Sequence, residues 1–312
     1  PAIAKITATG EQTLYFLQGH GELSLEANET QPSLSQAIAA LTSQGYITEP
    51  LNLVTSEAVP DDAAAVVVAA PSTPLFEAEV ERLQAYLNQG GRLLALVPPL
   101  TETGLDPIAS DWGIELVADV VVDVSQVAQV VGAGPVVVLV TTYGDHPITR
   151  PLQAQNLMSF FPLARSLQGP AENATPLLLS SRESWGEIDT ETERFEFDPE
   201  ADLQGPLTLG YALSRSANPE ASGEASAEDE APEARLVIIG NAAFASDGNF
   251  RQLGNGDLFL NAVNWLADRS SLIAIQPKSA TDRRFALTAQ NINGLAILST
   301  FILPLVALGG GG

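Results

Sequence analysis

The sequence predicts an α/β protein with a mostly parallel sheet flanked by helices, a β-rich insertion and a C-terminal transmembrane helix. Three observations carry this. Between Thr13 and Val97, runs that are apolar throughout alternate with amphipathic stretches, the pattern of strands covered on both faces. The same pattern returns at Arg235 after a long strand-like region. Finally, Phe285 to Gly312 contains no charged side chain.

Thr13 to Gln18 (TLYFLQ) reads as a buried strand. Pro32-Ser33 then opens a helix whose apolar face is Leu34, Ile38 and Leu41, and Gly45 stops it. A short extended run follows near Leu51–Val54, then a strand from Ala64 to Ala70 (AAVVVAA). The next helix, Leu75 to Gln89, places Phe76, Val80, Leu83 and Leu87 on one face and ends at Gly90-Gly91. Arg92 to Val97 is a third buried strand. The middle region, about 115–215, is β-rich with no helical period: Glu115–Ser125, Pro135–Tyr143, Ser159–Leu167, Thr175–Trp185 and Gly205–Arg215. It reads as an antiparallel extension or insertion. Ser216 to Ala234 has six acidic residues, no basic ones and no large hydrophobe, so it reads as a disordered acidic loop. Arg235 to Gly240 is expected to rejoin the first sheet, and Asp257 to Ala267 to form a helix with a wide apolar stripe.

Asn291 to Gly312 has about the length of a spanning helix, and Pro304 is tolerated in such a helix. A basic juxtamembrane segment, 269–290, precedes it with Arg269, Lys278, Arg283 and Arg284. These charges alone would hold the domain in the cytoplasm, but a long folded domain translocates largely regardless of charge, so composition leaves the side open. Residues 1–12 read as the tail of a preceding region, and 13–268 as the folded domain.

The 38 acidic and 14 basic residues give a net charge of −24, which argues against nucleic-acid binding. Hydrophobic residues at 45% exclude a disordered acidic chain. With no cysteine, disulfides, thiolate metal sites and Cys nucleophiles are excluded, and no GxxxxGK[ST] is present. No cofactor or metal is implied.

Candidate ligand-binding residues lie in two places. Gly19-His20-Gly21-Glu22 follows the first strand, where open α/β sheets take ligands. His20 and Glu22 suit an acid–base or polar ligand role; a tight turn held by its own hydrogen bonds is the simpler alternative. Asn241, Asp247, Asn249, Asn255 and Asp257 lie between the last strand and its helix. They either converge with the 19–22 loop on a polar ligand or serve as turn and cap residues. Asn261 and Asn264 read as partners for buried backbone groups, and Ser72 as a turn residue. Trp112, Trp185 and Tyr143 suit sugar stacking or packing.

LQGHGE (Leu17–Glu22), HPIT (His146–Thr149), IIGNAAF (Ile238–Phe244) and GNGDLFLNAVNWLADRSSLIAIQPK (Gly254–Lys278), ahead of an apolar end, together resemble the GldG-like auxiliary component of gliding-motility-type ABC transport systems. The resemblance runs from about Thr13 through Leu308. It implies a glutamine-amidotransferase-like or flavodoxin-like fold, also related to intraflagellar-transport-like domains. It further implies a periplasmic domain held in the cell membrane by a helix at each end, the N-terminal one preceding Pro1. Its implied partners are a permease, a separate ATPase and membrane lipid. The function expected is a non-enzymatic auxiliary subunit that binds a partner or a polar substrate. The alternatives are an amidotransferase-like or glycan hydrolase using His20 and Glu22 with a carboxylate such as Asp247, and a carbohydrate-binding module.

Overall fold

A computed structural model of the chain describes residues 11–28, 30–126, 134–169, 174–189, 195–217 and 232–269. The chain divides into two compact units, Pro1–Ile275 and Gln276–Gly312, and all described residues belong to the first. The expected membrane helix, the juxtamembrane segment beyond Arg269 and most of the acidic loop lie outside the described residues. Among the described residues no helix is long and apolar enough to cross a membrane.

In chain order, β1 (Gln12–Leu17) leads through α1 (Ser35–Ser43) to β2 (Tyr46–Leu51). Then β3 (Ala63–Ala69) leads through α2 (Glu77–Asn88) to β4 (Arg92–Leu96). The insertion holds α3 (Asp106–Asp111), β5 (Glu115–Leu116), β6 (Val120–Asp123), β7 (Val137–Val140), β8 (Thr142–Tyr143), α4 (Arg150–Ala154) and β9 (Ser159–Pro162). It continues with β10 (Leu167–Gln168), β11 (Ala174–Leu179), β12 (Ser184–Glu187), β13 (Leu203–Gln204) and β14 (Thr208–Ser216). Finally β15 (Glu233–Ile239) is followed by α5 (Asn255–Leu266).

The main sheet has eight strands in the order β2-β1-β3-β4-β15-β14-β11-β8. The first five are parallel, so β15 does rejoin the first sheet, as predicted. The insertion supplies the rest: β14, β11 and β8 extend the sheet antiparallel. β6, β12 and β13 form a separate small sheet.

Strand β3 shows why the apolar runs were readable. Ala65, Val67 and Ala69 pack with α1 and α5, whereas Val66 and Val68 pack with α2 and α3. Both sides of each pleat are covered, so no polar residue interrupts the strand. The stripe of α5 is as wide as its sequence suggested, with Leu258, Phe259, Ala262, Val263 and Leu266 all buried.

Four expectations need correction. The run placed near Leu51–Val54 is the strand Tyr46–Leu51, whose exposed and polar centre reflects its place at the sheet edge, where Pro50 is tolerated. The middle region does hold a helix, α4, too short to show a period, with Pro in its first turn and Leu152 its one buried residue. Phe76 is not on the core face of α2. It precedes the first turn and is 63% exposed. Arg269, expected to open the basic juxtamembrane segment, is instead buried in the folded domain: its guanidinium lies 4.4 Å from the Tyr46 ring centroid, and Nη1 donates to the Gln44 carbonyl.

Candidate functional site

Strand order reverses between β1 and β3: the chain leaves β1 toward β2 on one side and then returns past it to β3 on the other. Connections leaving the carboxyl ends of β1 and β3 diverge there, the place where open α/β sheets take ligands. His20 and Glu22 lie in the first connection, and Ser72 to Phe76 in the second.

The β1 loop is folded by its own acid. Glu22 Oε2 accepts the Gly19 and His20 amides at 3.0 and 2.8 Å. The loop needs glycine at Gly21, where φ is +74° and a Cβ would run into Ser72 Oγ. The two loops are laced together: the His20 carbonyl accepts the Ser72 and Thr73 amides at 2.8 and 3.1 Å. Thus the turn reading of 19–22 is realised in the backbone, while the side chains remain to be accounted for.

His20 is 4% exposed and lies between two carboxylates. Its Nε2 is 2.9 Å from Glu79 Oε2, and its Nδ1 is 3.7 Å from Glu22 Oε1. Neither ring nitrogen is aligned for a hydrogen bond, and Glu22 Oε1 and Glu79 Oε1 are buried without one. Glu79 sits in the first turn of α2, where its Oε2 also accepts the Phe76 amide at 3.0 Å. That bond caps the helix and anchors the acid beneath the imidazole. Phe76 lays its ring edge-on to His20, with centroids 5.3 Å apart. Chemically, this is an acceptor-rich cluster suited to a hydrogen-bond donor from outside it. Among the described residues, no group of three or more His, Cys, Asp or Glu is arranged to hold a metal.

Sequence reasoning missed Glu79. The spacing Phe76-x-x-Glu79 signals a helix start, but nothing in it points to His20.

Most of the second constellation is hydrogen-bonded within the fold. Asn241 Nδ2 donates to the Pro162 and Leu163 carbonyls, and its Oδ1 accepts the Phe244 amide. Asn249 Nδ2 donates to the Ala243 carbonyl at 2.9 Å. Asn255 Oδ1 accepts the Phe160 amide at 2.8 Å, while its Nδ2 donates to carbonyls of Phe160, Phe244 and Asn249.

Asp247 reaches across to α1, accepting Ser33 Oγ at 2.5 Å, Ser35 Oγ at 2.7 Å and the Gln36 amide at 2.8 Å. Burial pushes its carboxyl up, but the Gln36 amide and the two hydroxyls outweigh this and hold it below the usual range. Burial raises the carboxyl of Asp257. None of these five shares a described hydrogen bond or ion pair with the His20 cluster.

Asn261 donates to the Ile148 carbonyl at 2.9 Å, as expected, whereas Asn264 Oδ1 accepts the Tyr46 hydroxyl instead of a backbone group. Trp112, Trp185 and Tyr143 are each less than a tenth exposed, and Tyr143 is hydrogen-bonded to Ser159. They offer no face for a sugar.

Fold and site together define an open α/β domain with a polar cluster at its switch point and no nucleotide-phosphate motif. The family model described as ABC-type uncharacterized transport system matches residues 11–262, and the chain belongs to that family of auxiliary transport components. Among solved structures, the mmIFT52 N-terminal domain is 15% identical with a TM-score of 0.58, over 81% of this chain and 97% of that one. This likeness supports the fold alone. A ThuA-like protein from Bacteroides uniformis is 14% identical with a TM-score of 0.43, over 82% of this chain and 91% of its own. A putative GMP synthase component from Thermoplasma acidophilum is 10% identical with a TM-score of 0.45, over 86% of this chain and 100% of its own. No curated protein matches at significant similarity.

Proposed function

We propose that the chain is a non-enzymatic, membrane-anchored auxiliary subunit of an ABC-type transport system of the gliding-motility type. Its α/β domain lies outside the cytoplasm and binds a partner subunit or polar substrate at the carboxyl edge of the sheet. The family match over residues 11–262 carries this reading. Two sequence features support it: the absence of a P-loop, which leaves ATP hydrolysis to a separate subunit, and the uncharged stretch from Phe285 to Gly312. Extraction in mild detergent with an affinity tag on this chain is expected to bring down a permease and an ATPase in fixed ratio. Isolation as a lone monomer would overturn the reading.

The hydrolytic alternative has one observation in its favour, the 2.9 Å approach of His20 to Glu79. Asp247 does not supply its second carboxylate, because both oxygens already serve the start of α1. An unchanged rate of glycan cleavage after Glu22→Gln or Glu79→Gln would remove it.

A further inference from the structure

We propose that the carboxyl edge of the main sheet is a docking surface for a second protein, one that presents a basic segment flanked by apolar side chains. Among the described residues, nine large hydrophobic side chains are exposed. Five of them, Val54, Phe76, Leu100, Leu163 and Leu253, belong to this edge. Val54 follows β2, Phe76 follows β3 and Leu100 follows β4. Leu163 is held at the end of β15 by Asn241, which donates to its carbonyl, and Leu253 ends the β15–α5 connection. The loops are tied to one another: the Leu75 amide donates to the Thr103 carbonyl at 3.1 Å, and the Arg165 amide to the Gly240 carbonyl at 2.7 Å. Leu100, Leu163 and Leu253 also hold left-handed backbone, with φ of 56°, 54° and 50°. Bulky residues rarely adopt it.

Charge selects the occupant. Glu26, Glu77, Glu102 and Asp106 are exposed on these loops and the first turns that follow them. Arg251 is the one exposed cation on the same described loops. The cluster beneath adds buried acceptors at Glu22 and Glu79. An apolar rim set in carboxylates fits a partner with Lys or Arg between apolar contacts, and such charge complementarity governs encounter and register.

The described ends of the domain leave this edge free. Gln12, at the start of β1, donates to the Ala267 carbonyl at 3.1 Å, and Arg269 stacks on Tyr46 at the start of β2. Both ends therefore lie at the amino edge, about 20 Å away along a six-residue strand. The proposal rests on the partner-binding reading above and not on the membrane reading.

The test places the photo-crosslinker p-benzoylphenylalanine at Leu100, Leu163 or, as a control on the small sheet, Ile188, in the full chain expressed in its own cells. The expected result is an adduct of Leu100 and Leu163 with one protein, mapped by mass spectrometry to a stretch carrying Lys or Arg beside apolar residues. Ile188 gives none, and yield falls at least fivefold with Glu102→Lys, alone or with Glu77→Lys. Adducts with lipid, a second copy, the chain's own C-terminal segment or an acidic stretch would overturn the proposal. So would no adduct, equal yield at Ile188, or indifference to charge reversal. A failed co-purification with a persisting edge adduct would sink the transport reading alone, and the reverse would sink the docking surface alone.

Discussion

Asp247 gives the clearest test of the division between structural and ligand-binding acids. Its carboxylate caps α1 from a distant loop, because Leu34, at the cap position, has no side-chain acceptor to offer. Asp247→Ala removes acceptors from the Gln36 amide and from the hydroxyls of Ser33 and Ser35. Loss of a helix cap costs about 1 kcal/mol. Hydrogen bonds to a charged group contribute about 1.5–3 kcal/mol each, reduced here because Asp247 is half-buried. Ser33, at 3% exposure, is left with a buried hydroxyl to satisfy. Together these predict a loss of about 3 kcal/mol, and about 1 kcal/mol for Asp247→Asn, which keeps one acceptor. Urea unfolding followed by tryptophan fluorescence measures both. In a Ser33→Ala/Ser35→Ala background the cost of Asp247→Ala should fall by more than about 1 kcal/mol. The acid's folded pKa is held below its unfolded one, so its contribution is present above the usual carboxylate range and fades as pH falls through the folded value. The gap between wild type and Asp247→Ala should therefore narrow in acid. A loss under about 0.5 kcal/mol, or a gap that ignores pH, would refute the capping argument and return Asp247 to the ligand-binding set.

Three further outcomes are expected. Burial, assisted by the charges of Arg150 and Arg235, pushes His146 down to about 4, while Asp145 opposes this weakly. The neutral ring is thus favoured in the fold, and stability present above the unfolded value near 6.5 should be lost as pH falls toward 4, by about 2 kcal/mol after solvent screening. His146→Asn should flatten that limb of a melting-temperature profile. Asn255→Ala orphans the half-buried Phe160 amide and removes three carbonyl contacts, so a loss of about 3 kcal/mol is expected, with faster hydrogen exchange at Phe160. Gly21→Ala must hold a left-handed backbone, at about 1 kcal/mol, and turn Ser72 Oγ from the His20 carbonyl, at about another. Since Ser72→Ala forfeits the same bond, the double variant should cost no more than Gly21→Ala alone; strict additivity in a double-mutant cycle would dismiss this.

What was legible follows from which surfaces each element covers. Strands buried on both faces, such as Ala63–Ala69, announce themselves because no polar residue fits them. The edge strand Tyr46–Leu51 does not, since only Tyr46 and Leu51 are buried and nothing in YITEPL alternates cleanly. The return of β15 to the first sheet could be read because RLVIIG repeats the grammar of RLLALV, its neighbour in space. The exposed leucines of the carboxyl edge were invisible for the opposite reason. An apolar residue in a loop next to a strand reads as the strand's end, and left-handed backbone leaves no mark at Leu100, Leu163 or Leu253.

The site was legible by position but not by partner, and the acids show why. In a chain of net charge −24, a carboxylate taken out of water needs donors, and cations are too few to supply them all. Backbone amides fill the gap: Asp247 takes Gln36, Glu79 takes Phe76, Glu22 takes Gly19 and His20, and Asp119 takes Ser166. Each bond joins a side chain to an amide whose availability depends on where a helix or turn begins, which a single sequence specifies only loosely. Acid spacing alone therefore cannot separate a cap from a ligand group. Spare acceptor capacity can. Asp247 has committed both oxygens and Asp119 has committed both to Ser166, whereas Glu22 and Glu79 each keep one buried oxygen without a hydrogen-bond partner, as Asp123 does alone on β6. The Glu22 and Glu79 carboxylates flank the same imidazole, at a point where the sheet reverses its strand order. An uncommitted acceptor is costly to bury, and its concentration at the edge where such sheets take ligands is what singles out this cluster among the acids of the domain.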